Sequence, residues 1–247
     1  MEKKFGLIGA TVSHSFSKAY FDEKFFNEGL RDYHYDLYPL KNIDELKTLL
    51  ADNPELQGLN VTIPYKEQVI KFLDDIDPFA KSIGAINVIK IRDGHLTGYN
   101  TDSDAFLESI EKWFPNAPGS RALVLGTGGS SKAVQVALNK LGINFKVISR
   151  RTGLGDLTYD DLENKPKVIK ESNLIINTTP LGMSPNNNAM PQFDCELLGE
   201  DHYVYDLIYN PARTKFLQKA EMQGATIKNG LEMLHFQAEK AWAIWNG

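Results

Sequence analysis

The chain has 247 residues, 42% hydrophobic and 24% charged, and carries a net charge of −5. That length and balance suit one large or two modest soluble domains with sizeable cores. The negative charge, with basic residues dispersed along the chain, argues against a nucleic-acid partner or an anionic-membrane surface.

Cys195 is the single cysteine, so neither an intrachain disulfide nor a thiolate metal cluster is expected, and a cytoplasmic location fits. Met1-Glu2-Lys3-Lys4-Phe5 lacks the apolar core of a signal peptide, and no stretch has the length of a membrane span. In chain order, residues 4–10 read as a buried strand closed by Gly9. Residues 18–29 place Ala19, Phe21, Phe25 and Phe26 at helical spacing, with Gly29 as the stop. A strand is expected at 33–38, a helix at 43–50 and a strand at 59–63. That strand runs into Asn60-Val61-Thr62-Ile63-Pro64-Tyr65-Lys66. Proline has no N–H for a central ladder, so pairing stops near Pro64. Thr62 and Lys66 then sit at a strand's carboxyl edge, where open α/β sheets bind ligands.

A helical stretch at 67–73 precedes a hairpin, 85–91 and 95–99, turning at Asp93-Gly94. Phe114-Pro115-Asn116-Ala117-Pro118-Gly119 breaks the composition and reads as a domain boundary. Beyond it come a strand at 121–125, a helix at 131–141, and strands at 145–149, 174–177 and 203–207. This alternation predicts a parallel, doubly wound sheet. A final amphipathic helix, 231–245, is expected to pack back across the first domain. The fold class expected is α/β in two domains. Residues 1–102 with 231–247 form an N-terminal α/β substrate domain, and 103–230 form a Rossmann-type domain.

Gly126-Thr127-Gly128-Gly129-Ser130-Ser131 follows a strand and opens a helix, the context a dinucleotide fingerprint requires. The glycines permit a tight turn and close backbone approach, while the helix N-terminus offers N–H groups to a pyrophosphate. The next strand ends Val147-Ile148-Ser149-Arg150-Arg151-Thr152. An NAD site ends that strand with an acid for the ribose 2′-hydroxyl; two guanidinium groups instead suit a 2′-phosphate, so NADP is the expected cofactor.

Polar groups recur where strands of the first domain end. Ser15 and Ser17 carry hydroxyls suited to a small carboxylate. Asn60, Thr62 and Lys66 come from the Asn60 to Lys66 segment, Asn60 and Thr62 as candidate substrate contacts; Asn87 lies in a buried stretch where an amide needs partners, and Asp102 closes Asn100-Thr101-Asp102. The five histidines show no metal-ligand grouping, and no metal is expected.

Read together, these motifs resemble the shikimate dehydrogenase family. The matching stretches are Ser13-His14-Ser15-Phe16-Ser17, Asn60 to Lys66, Gly84-Ala85-Ile86-Asn87, Asn100-Thr101-Asp102, the glycine loop and Ser149 to Thr152. Asn177-Thr178-Thr179-Pro180-Leu181-Gly182-Met183, Tyr205-Asp206-Leu207-Ile208-Tyr209-Asn210-Pro211 and Gly230 to Ala238 complete the set, in the family's order. The resemblance implies NADP-dependent interconversion of 3-dehydroshikimate and shikimate, a step toward chorismate and the aromatic amino acids. It implies that Lys66 is the acid/base, paired with Asp102. Ser15 and Ser17 bind the substrate carboxylate with help from Tyr209, and Thr62, Asn87, Asp102 and Gln237 hold ring hydroxyls. The cofactor falls to Gly126, Thr127, Gly128, Gly129, Ser130, Ser149, Arg150, Arg151, Thr152, Leu207 and Gly230, with Thr178 and Thr179 beside it.

The partners implied are a small-molecule substrate and, for the chain itself, a monomer or homodimer. Lys18, Tyr99 and Ser103 depart from the family pattern, and Gly153-Leu154-Gly155 replaces the start of a helix. Alternatives are a quinate/shikimate dehydrogenase using NAD, a folate-interconverting dehydrogenase, and a metabolite sensor without catalysis. Lys66 with Asp102 speaks against the sensor, and the paired serines with Gln237 speak against the folate enzyme.

Overall fold

The structure is a computed structural model describing residues 2–13 and 15–247. It divides into two compact units, residues 1–102 with 237–247 and residues 103–236. The composition break at 114–119 does not part them. Ala105, Phe106, Ile110 and Phe114, which precede or open the break, belong to the same core as Ala122 and Val124 beyond it.

The first unit contains β1 (Lys3–Gly9), α1 (Ser17–Asn27), β2 (Tyr33–Pro39), α2 (Leu46–Asp52), β3 (Leu56–Val61), β4 (Asp75–Ile76), α3 (Pro78–Ile83), β5 (Val88–Arg92) and β6 (His95–Tyr99). Its sheet runs β2-β1-β3-β5-β6-β4, parallel from β2 to β3 and antiparallel at β3–β5 and β5–β6. The chain leaves β1 for β2 on one side and returns to β3 on the other, so a topological switch point lies between β1 and β3. The period-2 pattern of β1 sends Phe5 and Leu7 to one core and Ile8 to the other. Asp93 (φ 50°) and Gly94 (φ 79°) make the expected hairpin turn. The expected helix at 43–50 begins as a 3-10 turn, Ile43–Glu45, and the stretch at 67–73 is wholly 3-10, Gln68–Phe72.

The second unit begins with α4 (Asp102–Glu111), whose first residue is the last of the first unit. It continues through β7 (Arg121–Leu125), α5 (Gly129–Lys140), β8 (Asn144–Ser149), β9 (Leu157–Thr158), α6 (Tyr159–Asn164), α7 (Pro166–Lys170), β10 (Leu174–Asn177), β11 (Tyr203–Asp206), α8 (Lys215–Met222) and β12 (Thr226–Asn229). All six strands are parallel, in the order β12-β11-β10-β7-β8-β9. The switch point lies between β7 and β10. One face packs on α4 and α5, the other on α6, α7 and α8. Thr158 and Asp161 close a capping box that starts α6, so two short helices stand where the sequence loses its helical signal after Thr152.

The chain re-enters the first unit inside α9 (Leu231–Asn246). Ala238, Ala241 and Trp245 of that helix fill the first unit's core with Phe5, Phe21, Phe25 and Tyr35. Trp245 is 1% exposed, donates its indole N–H to the Ile89 carbonyl at 3.0 Å, and lies on Gly58. A Cβ at residue 58 would stand 2.2 Å from the indole nitrogen.

Candidate active site

In the first unit the chemistry gathers at the carboxyl edge beside the β1/β3 switch point. The backbone is drawn tight there: Thr62 N–H donates to the Ile8 carbonyl (2.9 Å) and Ala10 N–H to the Ile63 carbonyl (3.2 Å). Gly9 leaves room for Thr62, whose methyl would lie 2.5 Å from a Cβ on residue 9. Beyond Pro64 the chain turns, and the Lys66 carbonyl accepts from Ile86 N–H at 2.7 Å. That bond brings Lys66 beside the approach to β5, where Asn87 stands one residue ahead of the strand. The strand expected over 85–91 begins at Val88, so Asn87 precedes it, its backbone still bonded to Val61 and Tyr99.

Lys66 Nζ lies 2.6 Å from Asp102 Oδ2, with the two side chains 13% and 6% exposed. Asp102 Oδ1 accepts from Asn87 Nδ2 at 3.0 Å. Asp102 is also the first residue of α4, where the helix dipole favours a negative charge. Asn87 is 3% exposed; its Oδ1 accepts from Thr101 N–H (2.7 Å), and its Nδ2 also approaches Thr101 Oγ1 (2.9 Å) and Gln237 Oε1 (3.4 Å). Four expected residues, Lys66, Asn87, Asp102 and Gln237, thus form one connected polar cluster.

Ser15 and Ser17 pair across the start of α1. Their hydroxyl oxygens are 3.2 Å apart, and Ser17 N–H donates to Ser15 Oγ at 3.2 Å. Two hydroxyls and a helix start at one point suit an anion's oxygens. His14, quoted with them in the sequence motif, lies outside the described residues. Asn60 uses both ends of its amide internally: Oδ1 accepts from Tyr35 O–H (2.7 Å) and Nδ2 donates to the Asn87 carbonyl (3.3 Å).

In the second unit, Gly126, Thr127, Gly128, Gly129 and Ser130 occupy the β7-to-α5 turn at the β7/β10 switch point. Gly126 has φ 112°, and a Cβ there would lie 2.8 Å from Thr178 Oγ1. Thr178, directly after β10, donates its hydroxyl to the Leu125 carbonyl at 2.7 Å. The two switch-point loops are therefore in contact, with Thr179 alongside. Gly128 caps α5, nothing lies within 4 Å of where its Cβ would be, and no acid occupies the first turn. Open space and first-turn N–H groups fit a dinucleotide's pyrophosphate. Ser131, where the fingerprint has glycine or alanine, is fully buried and returns its hydroxyl to the Gly126 carbonyl (2.7 Å), so it tightens the turn.

At the end of β8, Ser149 Oγ accepts from Arg151 N–H (3.0 Å), while Arg150, Arg151 and Thr152 are exposed. The nearest acid downstream, Asp156, spends a carboxylate oxygen on Val147 N–H (2.7 Å). Leu207 and Gly230 touch through their backbones: Leu207 O would be 2.0 Å from a Cβ on residue 230. Among the described residues no group of three or more His, Cys, Asp or Glu could hold a metal ion. No described helix is long and apolar enough to cross a membrane.

The NADP(+)-dependent shikimate dehydrogenase of Staphylococcus haemolyticus is 34% identical over 251 residues, covering 99% of this chain and 92% of that one. The chain belongs to the shikimate dehydrogenase family. The family model for the shikimate dehydrogenase substrate binding domain matches residues 7–89, which include Ser15, Ser17, Lys66 and Asn87. The Thermus thermophilus shikimate 5-dehydrogenase, solved with NADP(H) and shikimate, superposes with a TM-score of 0.85 at 31% identity, covering 99% of this chain and 94% of that one. The Corynebacterium glutamicum quinate dehydrogenase, solved with NAD, gives 0.84 at 30% identity, covering 100% and 94%. Shikimate dehydrogenases and a quinate dehydrogenase thus share this fold.

Two further residues of the site, Thr101 and Tyr35, carry no distinctive sequence signal. Thr101, 3% exposed, links Asn87 to Gln237 by donating to the Gln237 carbonyl at 3.2 Å. Its signal was three polar residues in a row ahead of a helix. Tyr35 supports Asn60 from β2, where an alternating pattern gives no hint that one hydroxyl is used.

Proposed function

We propose that this chain catalyses the NADP-dependent, reversible reduction of 3-dehydroshikimate to shikimate, the first unit holding the substrate and the second the cofactor. The observation that carries the reading is the part-buried Lys66–Asp102 pair joined to Asn87. Bound NADPH supplies the hydride. Lys66 donates a proton to the oxygen that becomes the alkoxide, and in reverse its neutral amine takes the proton from the hydroxyl. Asp102 orients the ammonium, and Asn87 orients Asp102.

Ser15 and Ser17 grip the carboxylate, with Tyr209 assisting, while Thr62, Asn87, Asp102 and Gln237 read the ring hydroxyls. A buried polar site of this kind rejects an analogue lacking a hydroxyl, because its own groups would be left unpaired. Asn60 acts from behind, through the Asn87 carbonyl. Arg150 and Arg151 supply the guanidinium groups for the 2′-phosphate, and Gly126 to Ser130 receive the pyrophosphate. Thr178, Thr179, Leu207 and Gly230 border the nicotinamide half.

The test follows nicotinamide absorbance with shikimate and quinate, each offered NADP and NAD. Shikimate with NADP should give the highest kcat/KM. Absence of turnover in every pairing would refute the proposal, and a preference for quinate with NAD would reassign the substrate and cofactor.

A further inference from the structure

Asp206 is the last residue of β11, fully buried, and assigned no part in binding or catalysis above. Three donors converge on it. Asn177 Nδ2 (2.9 Å) and Ile208 N–H (3.1 Å) reach Oδ1, and the Thr214 hydroxyl (2.6 Å) reaches Oδ2. An ionised carboxylate is acceptor-only and matches three donors; an apolar residue would leave all three unsatisfied in the interior.

Each donor ties down a different piece of the sheet's carboxyl edge. Asn177 pairs with Asp206 in the strand register, and its Oδ1 accepts from both N–H (3.0 Å) and hydroxyl (2.7 Å) of Thr179. Thr179 Oγ1 in turn accepts from Leu181 N–H at 3.3 Å. Ile208 and Thr214 lie at the two ends of the loop that follows β11, and Thr214 also caps α8 through Leu217 N–H. The two segments meet again where Ser184 N–H donates to the Asn210 carbonyl (3.0 Å). One side chain therefore fixes residues 177–181 relative to residues 207–214.

We propose that Asp206 is a positioning residue for hydride transfer, holding Thr178, Thr179 and Leu207 in the register that seats the nicotinamide, through Asn177 and Thr214. This rests on the function proposed above, because those three residues border the cofactor only under that reading. A displacement of about 1 Å at a reacting centre costs about 100-fold in rate. Loss of the tie should therefore lower kcat at saturating cofactor as well as weaken NADPH. Lost uniform binding of the cofactor would instead raise KM and leave kcat alone.

The experiment uses the full chain carrying Asp206→Ala, Asp206→Asn, Thr214→Val, Thr214→Ser and Thr179→Val, with the parent as reference. Thermal melting first confirms that each is folded at the assay temperature. NADPH affinity is then read by nicotinamide fluorescence and turnover by absorbance. Asp206→Ala and Thr214→Val should weaken NADPH at least tenfold and lower saturated kcat by about 10–100-fold. Asp206→Asn and Thr214→Ser should recover most of both, since each can still bridge the same partners. Thr179→Val should add little in the Asp206→Ala background, because both changes break one chain of bonds.

The idea is overturned if folded Asp206→Ala keeps parental kcat and affinity, if only its melting temperature falls, or if Thr179→Val adds fully. Should Asp206→Ala not fold, the Thr214 pair and the cycle of Thr214→Val with Thr179→Val decide by the same criteria. A parent without turnover would count against the proposed function, while the NADPH-affinity arms still test the tie.

Discussion

Replacing Lys66 with methionine keeps most of the side chain's length, exchanges one methylene for sulfur and removes the ammonium group. General acid catalysis by a positioned side chain contributes about 10²–10⁴-fold, or roughly 3–5 kcal/mol of activation free energy. The structure allows that loss to be separated from a loss of stability. Breaking a fully buried ion pair costs about 3–5 kcal/mol. Asp102, however, keeps Asn87 Nδ2 at 3.0 Å and its place at the start of α4. With those retained, the stability loss should be nearer about 1–2 kcal/mol. The kinetic effect is thus the larger, and persists well below the melting temperature.

Turnover is followed by nicotinamide absorbance and shikimate affinity by calorimetry. Expected is a kcat lower by about 10²–10⁴-fold with shikimate affinity changed less than about tenfold, since Ser15, Ser17, Asn87 and Gln237 remain. In Lys66→Ala, a small primary amine added to the buffer should restore part of the rate. A Lys66→Met enzyme turning over within a few-fold of the parent would remove Lys66 from the chemistry.

Arg150→Ala should weaken NADPH by about 1.5–3 kcal/mol, the worth of a charge-assisted contact, and leave NADH almost untouched; equal losses for both cofactors would refute the 2′-phosphate assignment. Gly58→Ala drives a methyl into the Trp245 indole and should cost about 1–3 kcal/mol or more, read as a fall of several degrees in melting temperature. An unchanged midpoint would show that the α9 contact yields freely. Burial pushes the Asp206 carboxyl up to about 6, against hydrogen bonds from Thr214, Ile208 and Asn177 that lower it. Its native pKa then exceeds its unfolded one, so between about pH 4 and 6 the folded state binds the extra proton and stability falls as pH rises. Relative to the parent, Asp206→Asn should gain stability from pH 4 to pH 7 by roughly 3 kcal/mol at most, measured by urea unfolding. A pH-independent difference would contradict the burial argument.

Local chemistry explains what the sequence disclosed. Beyond β3 the pairing persists through Thr62 N–H and the Ile63 carbonyl and ends at Pro64, which has no donor, and Asp93-Gly94 made its turn with two positive φ angles. The β7 strand, glycine loop and α5 helix announced themselves within twenty consecutive residues. The Lys66–Asp102 pair needed the family resemblance, because 36 residues separate the partners and neither position is distinctive alone. What stayed hidden depends on distant partners. Asn60 is expected among the substrate contacts, but its bonds to the Tyr35 hydroxyl and the Asn87 carbonyl, 25 and 27 residues away, leave no local trace in the sequence. The 157–170 region offered no long periodic stretch, and its two short helices are set by a capping box and by Pro166 at the start of α7. Asp206 is inconspicuous inside a strand expected over 203–207, because its donors come from three segments.

Trp245 has a bearing on how the protein is made as well as how it stands. The core that includes Phe5, Phe21 and Tyr35 contains Ala238, Ala241 and Trp245, and those residues leave the ribosome only after the whole of 103–236. At about 5–20 residues per second, the first segment to emerge waits on the order of ten seconds for the helix that completes it. The unit that begins synthesis first is the one that finishes folding last. During that interval Phe5, Phe21 and Phe25 lack their indole partner, so a nascent chain stalled before residue 237 should offer chaperones an aromatic surface that the released protein hides.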